Sequence, residues 1–226
     1  MEPHELEILY EDNHLLAVYK PAGVLAQGDE TGDPTLVAAA KAWLKNKYGK
    51  PGNVFLGLVH RLDRPVAGVF LFAKTSKAAS RLAAQFRQGR VEKVYRAVVE
   101  GRPDPPEQRL RGFLVKDEAK RRSRLTEAGR PGAREVMLDY RVLASEEGRS
   151  LVEVTPRTGR SHQIRVQLAG IGHPIVGDVK YGAKEPLPGG VIALYARALC
   201  VQHPTRDEAV EIACGPPPGW PWSRKP

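Results

Sequence analysis

The stretch HRLDRPVAGVFLFAK, residues 60–74, joins a charged turn to a run of apolar residues. The run Val69–Ala73 has no polar side chain, which predicts a strand buried on both faces. Asp63 precedes this strand and lies between Arg61 and Arg64. Cationic neighbours favour an ionised carboxylate, and such a carboxylate in a cleft is a potential nucleophile toward a sugar carbon. The same residues also fit an Arg–Asp pair that only stabilises a turn.

Short strands dominate the sequence on both sides of this stretch. Apolar or alternating runs predict strands near residues 6–10, 15–19, 54–59, 91–99, 110–115, 135–143, 151–155, 191–201 and 209–213. Helices are expected after an Asp33 cap with Pro34 at the first position, after a Thr75 cap, and near Ser161. The polar segment 116–132 is expected to be a mobile loop. Many strands without regular strand–helix alternation favour an α+β fold.

The length of 226 residues fits one domain over residues 1–226. Prolines at positions 103, 105 and 106 mark a loop, so a candidate hinge between two lobes is placed near residues 101–108.

Positive charge is in excess and concentrated. Lys and Arg number 35 against 26 Asp and Glu, for a net charge of +9. Residues 60–97 hold nine bases and two acids, a local charge of 9 − 2 = +7. Because clustered cations release counterions from phosphate, this asymmetry favours a nucleic-acid partner. Charge alone also fits an ordinary basic protein.

Two further segments carry candidate binding residues. In residues 155–182, Arg157, Arg160, Arg165 and His162 have no acid between them, and the helix that starts there is suited to phosphate. A capped surface helix with outward charges is the alternative. In residues 92–101, Tyr95 lies between Lys93 and Arg96 and is suited to stacking on a base, although a core tyrosine also fits.

Composition excludes other classes of protein. The two cysteines, Cys200 and Cys214, lie in apolar runs and predict buried thiols, with neither a disulfide framework nor a metal site. No apolar run of about 18 residues occurs, and the N-terminus has no basic start, which argues against a membrane span or a signal peptide. We therefore expect a cytoplasmic protein.

Several motifs occur in a recognisable order. They are KPAGV at 20–24, HRLD at 60–63 followed by a glycine and an apolar strand, K-x-Y-x-A-x-V-x-G at 93–101, and TGRxHQIR…GxPIxGDxxYG from 158 to 182. With these motifs the chain resembles the RluA-type pseudouridine synthase family over about residues 56–204, and KPAGV also fits the family pattern. The resemblance implies a mixed, largely antiparallel central sheet with flanking helices and two lobes around a catalytic cleft. It also implies that the small N-terminal RNA-binding domain of larger members is absent.

The resemblance assigns roles to individual residues. Asp63 corresponds to the catalytic aspartate that attacks the sugar, Arg165 to the arginine that pairs with it, and Tyr95 to the ring against which the uracil packs. Arg61 corresponds to the arginine that holds RNA while the target base is flipped out. The expected RNA-binding residues are Arg61, Arg64, His60, Arg157, Arg160, His162 and Lys93.

The resemblance also implies the partners of the reaction. The partner is ribosomal or transfer RNA, bound by a monomer, and no cofactor or metal is expected because isomerisation needs no redox change. A catalytically inactive RNA-binding protein on the same fold is the alternative. A small-molecule nucleoside hydrolase or phosphorylase is disfavoured by the charge and by the lack of a phosphate-loop motif.

Three positions depart from the family pattern. Val66-Ala67 replaces the usual Thr-Ser beside Asp63, Gln167 replaces a histidine after HQIR, and Tyr195 replaces the histidine of a later L-H-A. The first change removes two hydroxyls next to the expected nucleophile.

Overall fold

The structure is a computed structural model that describes residues 6–28, 32–117, 122–146 and 148–222. The chain divides into two compact units. The first comprises Met1–Glu92 and Ala196–Pro217, and the second comprises Lys93–Tyr195 and Pro218–Pro226. Residues 101–108, where a hinge is expected, lie inside the second unit, and the single-domain organisation stays a prediction.

In its described residues, the first unit combines a largely antiparallel sheet with two helices. Its strands are β1 (Ile8–Glu11), β2 (Leu15–Lys20), β3 (Gly57–Leu58), β4 (Ala67–Ala73), β10 (Leu194–Gln202, from Ala196 onward) and β11 (Ala209–Ala213). The order is β1-β2-β4-β10, with β3 beside β4 and β11 beside β10. The helices are α1 (Leu36–Tyr48) and α2 (Ser76–Arg87).

Strand β4 is the core of this unit. All seven of its residues are buried, as the apolar run predicts, and β2 pairs with it from Leu15↔Ala73 to Lys20↔Gly68. Burying each large apolar side chain here stabilises the fold by about 1.5–3 kcal/mol. The strand therefore provides a rigid base for the turn that carries Asp63.

Among its described residues, the second unit contains a five-stranded antiparallel sheet and one α-helix. Its strands are β5 (Glu92–Glu100, from Lys93 onward), β6 (Glu107–Asp117), β7 (Arg122–Thr126), β8 (Arg134–Glu146) and β9 (Arg149–Pro156), in the order β5-β9-β8-β6-β7. Helix α3 (Gln163–Gly170) follows β9, and short 3₁₀ helices cover Val179–Tyr181 and Pro188–Gly190.

The predicted α+β class with a largely antiparallel sheet and flanking helices is confirmed. The Thr75 cap is also confirmed, because its side chain accepts a hydrogen bond from the Ala78 main-chain N–H. No helix in the described part of the chain is long and apolar enough to cross a membrane.

Three local predictions are wrong. Helix α1 is capped by Thr35, whose hydroxyl accepts from Ala38 N, and not by Asp33. The strand expected over residues 54–59 is reduced to Gly57–Leu58. Part of the expected loop 116–132 is strand β7, which pairs with β6 from Phe113↔Thr126 to Asp117↔Arg122. Residues 118–121 of that segment lie outside the described residues.

Candidate active site

Asp63 lies in the turn that leads into β4. The main-chain N–H of Val66 donates to the Asp63 carbonyl at 3.1 Å, which closes the turn. Leu62 is buried on one side of it, and the Asp63 side chain is half-buried. The apolar neighbour thus anchors the turn while the carboxylate stays at its surface.

The KPAGV loop holds this turn through one main-chain hydrogen bond and one bond from the Arg64 side chain. Gly23 N donates to Arg64 O at 2.7 Å, and Arg64 Nε donates back to Gly23 O at 2.9 Å. Gly23 has φ 85°, a backbone conformation that favours glycine. Gly23 and Asp63 are 40 positions apart in the sequence. The two motifs that contain them therefore form one structural element.

Lys20 is completely buried beneath this element. Its ammonium donates to Pro21 O at 3.0 Å, Val24 O at 2.8 Å and Arg64 O at 3.2 Å. Burial lowers the pKa of Lys20 to about 7, although the negative charge of Asp63 opposes that shift. Lys20 therefore ties both sides of the Asp63 turn together from below. In the sequence, Lys20 stands out only as part of KPAGV, and the motif alone does not indicate this buried role.

The start of β4 fits closely against β10. Gly68 has φ 118°, and a Cβ at this position would lie 2.3 Å from Ala196 O. A side chain at position 68 is thus unfavourable unless β10 moves. Val66 and Ala67, which replace the family's Thr-Ser, are both buried.

The basic residues near Asp63 have three different environments. Arg61 is exposed and forms no ion pair with any described residue. Arg64 pairs with Asp33 at 2.8 Å in addition to its bond to Gly23. His60 accepts a hydrogen bond from Leu71 N at 2.8 Å, and its ring stacks on Phe70 and Phe86. Their expected RNA contacts stay predictions, but only Arg61 has the exposure and unpaired charge suited to phosphate.

In the second unit, the side chain of Gln163 organises the turn before α3. Its Oε1 accepts from the Thr158 hydroxyl at 2.7 Å and from Arg160 N at 3.1 Å. Its Nε2 donates to Met137 O at 3.0 Å. The helix begins two residues after the expected Ser161, because His162 takes the left-handed conformation, φ 58°.

Arg165 is held inside α3 by a buried carboxylate. Its Nε and Nη2 donate to Oδ2 and Oδ1 of Asp178 at 2.6 and 2.8 Å. The side chains of Arg165 and Asp178 are 6% and 1% exposed. The guanidinium also lies 4.9 Å from the ring centre of Tyr181. The predicted pairing of Arg165 with Asp63 stays a prediction.

The arginines between residues 157 and 165 have no acid between them in the sequence, but two of them have carboxylate partners from other segments. Arg165 pairs with Asp178, and Arg157 Nε donates to Asp139 at 2.8 Å. Asp139 also accepts two hydrogen bonds from Arg109, and these bonds lower its pKa to about 2. Arg160 is exposed, and its guanidinium forms no ion pair with the described residues.

Tyr95 and Lys93 lie two residues apart on β5 and therefore point to the same face of the sheet. Tyr95 is half-buried and pairs with Val154 of β9. Lys93 Nζ lies 3.5 Å from Thr158 O, and burial lowers the pKa of Lys93. His162 forms a hydrogen bond of 2.6 Å with the Tyr181 hydroxyl. Within this unit, Lys93 therefore lies against the loop that leads into α3.

The other departures from the family pattern are also buried. Gln167 Nε2 donates to Leu110 O at 3.1 Å, and its Oε1 has no hydrogen-bond partner among the described residues. Tyr195 packs edge-to-face on Trp220 with ring centres 4.9 Å apart. Both residues fill internal space in the second unit.

The sequence and the fold are similar to those of known proteins. The family model described as "RNA pseudouridylate synthase" matches residues 14–170. An uncharacterized RNA pseudouridine synthase of Bacillus subtilis is 35% identical over 91% of this chain and 67% of its own length. Ribosomal large subunit pseudouridine synthase C of Vibrio cholerae is 35% identical over 92% of this chain and 65% of its own length.

Ribosomal large subunit pseudouridine synthase D of Zymomonas mobilis is 34% identical over 93% of this chain and 70% of its own length. The chain thus spans about two thirds of the length of these relatives. A solved structure of human RNA pseudouridylate synthase domain containing 4 is 26% identical, with a TM-score of 0.80 over 95% of this chain and 90% of that one. With a family match over most of the sequence and relatives at this level of identity, the chain belongs to the RNA pseudouridylate synthase family.

Proposed function

We propose that this protein converts uridine to pseudouridine in ribosomal RNA, transfer RNA or both. The observation that carries the proposal is the family match over residues 14–170. Asp63, Tyr95 and Arg165, to which the motif resemblance assigns catalytic roles, lie within this range. Asp63 is the proposed nucleophile, Arg165 its charge partner and Tyr95 the ring beside the base. The half-buried position of Asp63 at the surface of its turn supports this assignment.

The proposed chemistry begins with the Asp63 carboxylate at the sugar. It attacks the anomeric carbon, and the bond to the uracil nitrogen breaks with the electron pair leaving on the base. This step has the logic of a retaining glycosidase, in which a carboxylate traps an oxocarbenium-like sugar. The released uracil turns, and its carbon 5 bonds to the anomeric carbon while the bond from that carbon to the Asp63 oxygen breaks, which regenerates the carboxylate. Carbon 5 then loses its hydrogen as a proton, and the ring nitrogen that left the sugar takes up a proton.

The target nucleotide must leave its stack before this reaction. A stacked and paired uridine hides its glycosidic bond, so the base has to be flipped out. Exposed arginines without carboxylate partners among the described residues, Arg61 and Arg160, are the proposed phosphate contacts. Lys93 and His162 are half-buried. They are proposed to line the pocket for the flipped base and not to contact the phosphates.

We propose large-subunit ribosomal RNA as the first substrate to test, because several relatives are named as ribosomal large subunit pseudouridine synthases. Transfer RNA is the second substrate. The expectation of a monomer in the cytoplasm stays a prediction.

The test uses RNA labelled with tritium at carbon 5 of uridine, since the new carbon–carbon bond expels that hydrogen. Large-subunit ribosomal RNA and bulk transfer RNA are incubated separately with the protein, and tritium released to water is measured. Release from either RNA, with pseudouridine recovered after digestion, supports the proposal. Binding of RNA without release would support the inactive alternative. Mapping pseudouridines in cells with and without the protein then identifies the positions.

A further inference from the structure

The segment Gly177–Tyr181 belongs to the GxPIxGDxxYG motif, and none of its residues takes part in the proposed chemistry. Its Asp178 side chain forms two hydrogen bonds to Arg165, and its Tyr181 ring lies against the same guanidinium. All these residues lie in the second unit. The segment therefore surrounds the side chain that is proposed to be the partner of the nucleophile.

The backbone around Asp178 is fixed on both sides. Asp178 N donates to Ile175 O at 2.9 Å, while Asp178 O accepts from Tyr181 N and Ala183 N at 2.9 and 3.1 Å. Gly177 has φ 87°, and a Cβ there would lie 2.7 Å from Leu187 Cγ. A side chain at position 177 would thus displace the turn. The Asp178 carboxylate has little freedom to move relative to α3.

The geometry of the pair determines the direction of the guanidinium. A guanidinium has five N–H donors in one plane, and Asp178 binds the edge formed by Nε and Nη2. The Nη1 group consequently points away from Asp178. Because both side chains are almost completely buried, water does not screen this charge-assisted pair as it would at the surface.

Tyr181 fixes the plane of the same group. Its ring lies 4.9 Å from Arg165 Cζ, within the range of a cation–π contact. The Tyr181 hydroxyl accepts from Ser123 N at 3.0 Å and is hydrogen-bonded to His162 Nδ1 at 2.6 Å. These two contacts keep the ring from turning away from Arg165.

We infer that Asp178 and Tyr181 are positioning residues that set the direction and plane of the Arg165 guanidinium for its partner carboxylate. This inference rests on the proposed function for its catalytic meaning. The competing interpretation is a purely structural ion pair that fastens α3 to the following turn. A structural pair would change the amount of folded protein but not the turnover of each folded molecule.

The first experiment measures the position of Arg165 without using the reaction. The Nε–H signal of Arg165 is followed by NMR in the wild-type protein and is assigned by its loss in Arg165→Lys. We expect exchange with solvent to become at least about tenfold faster in Asp178→Asn, because a buried charge-assisted bond is lost. Glu153→Gln, which changes a half-buried carboxylate paired with Arg141 in the same unit, is the control and should leave the signal unchanged. An unaltered Arg165 signal in Asp178→Asn overturns the inference.

The second experiment separates positioning from stability. Turnover is measured per folded molecule, with the folded fraction taken from circular dichroism. In Asp178→Asn we expect kcat to fall about 100-fold, as for a small misplacement of a reacting group, and the Kd for RNA to change by less than about threefold. Asp178→Glu should recover part of the loss. Equal kcat in wild type and Asp178→Asn overturns the inference.

Tyrosine variants test the second positioning contact. Tyr181→Phe keeps the ring under the guanidinium and should retain more turnover than Tyr181→Leu, which removes the aromatic face. Equal turnover in the two variants overturns the role of the ring. If the wild-type protein releases no tritium from any RNA, the proposed function fails, while the Nε–H exchange result still decides whether Asp178 positions Arg165.

Discussion

The two proposed catalytic charges are supported in different ways. The described hydrogen bonds that hold the Asp63 turn all involve main-chain groups. Gly23 N and Val66 N donate to carbonyl oxygens, and so do the side chains of Arg64 and Lys20. Arg165 is held by side chains, namely the Asp178 carboxylate and the Tyr181 ring. Main-chain support tolerates a change of the Asp63 side chain, whereas loss of one partner of a buried ion pair leaves an uncompensated charge, at a cost of about 3–5 kcal/mol.

This difference yields the largest expected effect, in Asp63→Asn. Turnover should fall by at least about 10⁴-fold, because the amide cannot replace a carboxylate nucleophile. The protein should still fold, since the described hydrogen bonds that close the turn use main-chain groups and the Arg64 side chain. Tritium release and chemical denaturation test the two expectations. Asp63→Asn protein that still releases tritium at the wild-type rate contradicts the site assignment.

The next effect concerns the support beneath the turn. Lys20→Met keeps an apolar chain of similar length but leaves three carbonyl oxygens without their donor. We expect turnover to fall by about tenfold or more because the turn can shift by a fraction of an ångström, with RNA affinity nearly unchanged. Lys77→Met, a change of an exposed lysine on α2, is the control. Full turnover in Lys20→Met would show that the turn does not depend on the ammonium.

Lys20 also makes stability depend on pH. Its pKa is about 7 in the folded protein and takes its ordinary value of 10.5 when the chain unfolds. Between these values the unfolded state binds more protons, so the free energy of unfolding rises with pH by up to about 1.4 kcal/mol per pH unit from this group. Below pH 7 both states bind the proton and the contribution is flat. Denaturation of wild type and Lys20→Met from pH 6 to 10 should show the steeper rise in wild type, and parallel curves would contradict the assignment.

Much of the first unit could be predicted from sequence because its signals are local. The apolar run of β4 and the Thr75 cap of α2 each depend on residues within a few positions. The start of α1 could not be predicted, because Asp33 looks like a cap but pairs with Arg64, which leaves the cap to Thr35. The position of the cap thus depends on the contact between Asp33 and Arg64, which are 31 positions apart in the sequence.

The second unit was less predictable for the same physical reason. Strand β7 has a polar sequence, and its place is set by pairing with β6 and by Ser123, whose hydroxyl donates to Ser161 O at 2.8 Å. The countercharges of Arg157 and Arg165 come from Asp139 and Asp178, which lie on other elements. A motif spacing identifies the residue types at a site, but the ion pairs depend on the folded chain.

A smaller effect is expected where an arginine contacts RNA in the first unit. Arg61 forms no ion pair with the described residues, whereas Arg64 is bound to Gly23 O and Asp33. Arg61→Ala should therefore weaken RNA binding and turnover together and lower the salt dependence of log Kd by about one unit of slope. Arg64→Ala should lower the free energy of unfolding and leave this salt slope nearly unchanged. Titrations at several salt concentrations measure the slope of both variants, and an unchanged slope in Arg61→Ala argues that Arg61 does not touch RNA.

The smallest effect is expected for two arginines of the second unit, Arg157 and Arg160. The sequence predicts RNA binding for both of them. Arg160 forms no ion pair with the described residues, while Arg157 shares the Asp139 carboxylate with Arg109. Arg160→Ala should lower the salt slope of RNA binding by about one. Arg157→Ala should change it less, because the cation is already paired in the folded protein, and the exposed pair contributes at most about 1 kcal/mol to stability. The same titrations compare the two variants. A larger effect of Arg157→Ala on the salt slope would contradict this expectation. It would mean that RNA displaces Asp139 from Arg157, so that Arg157 pairs with Asp139 only while RNA is not bound.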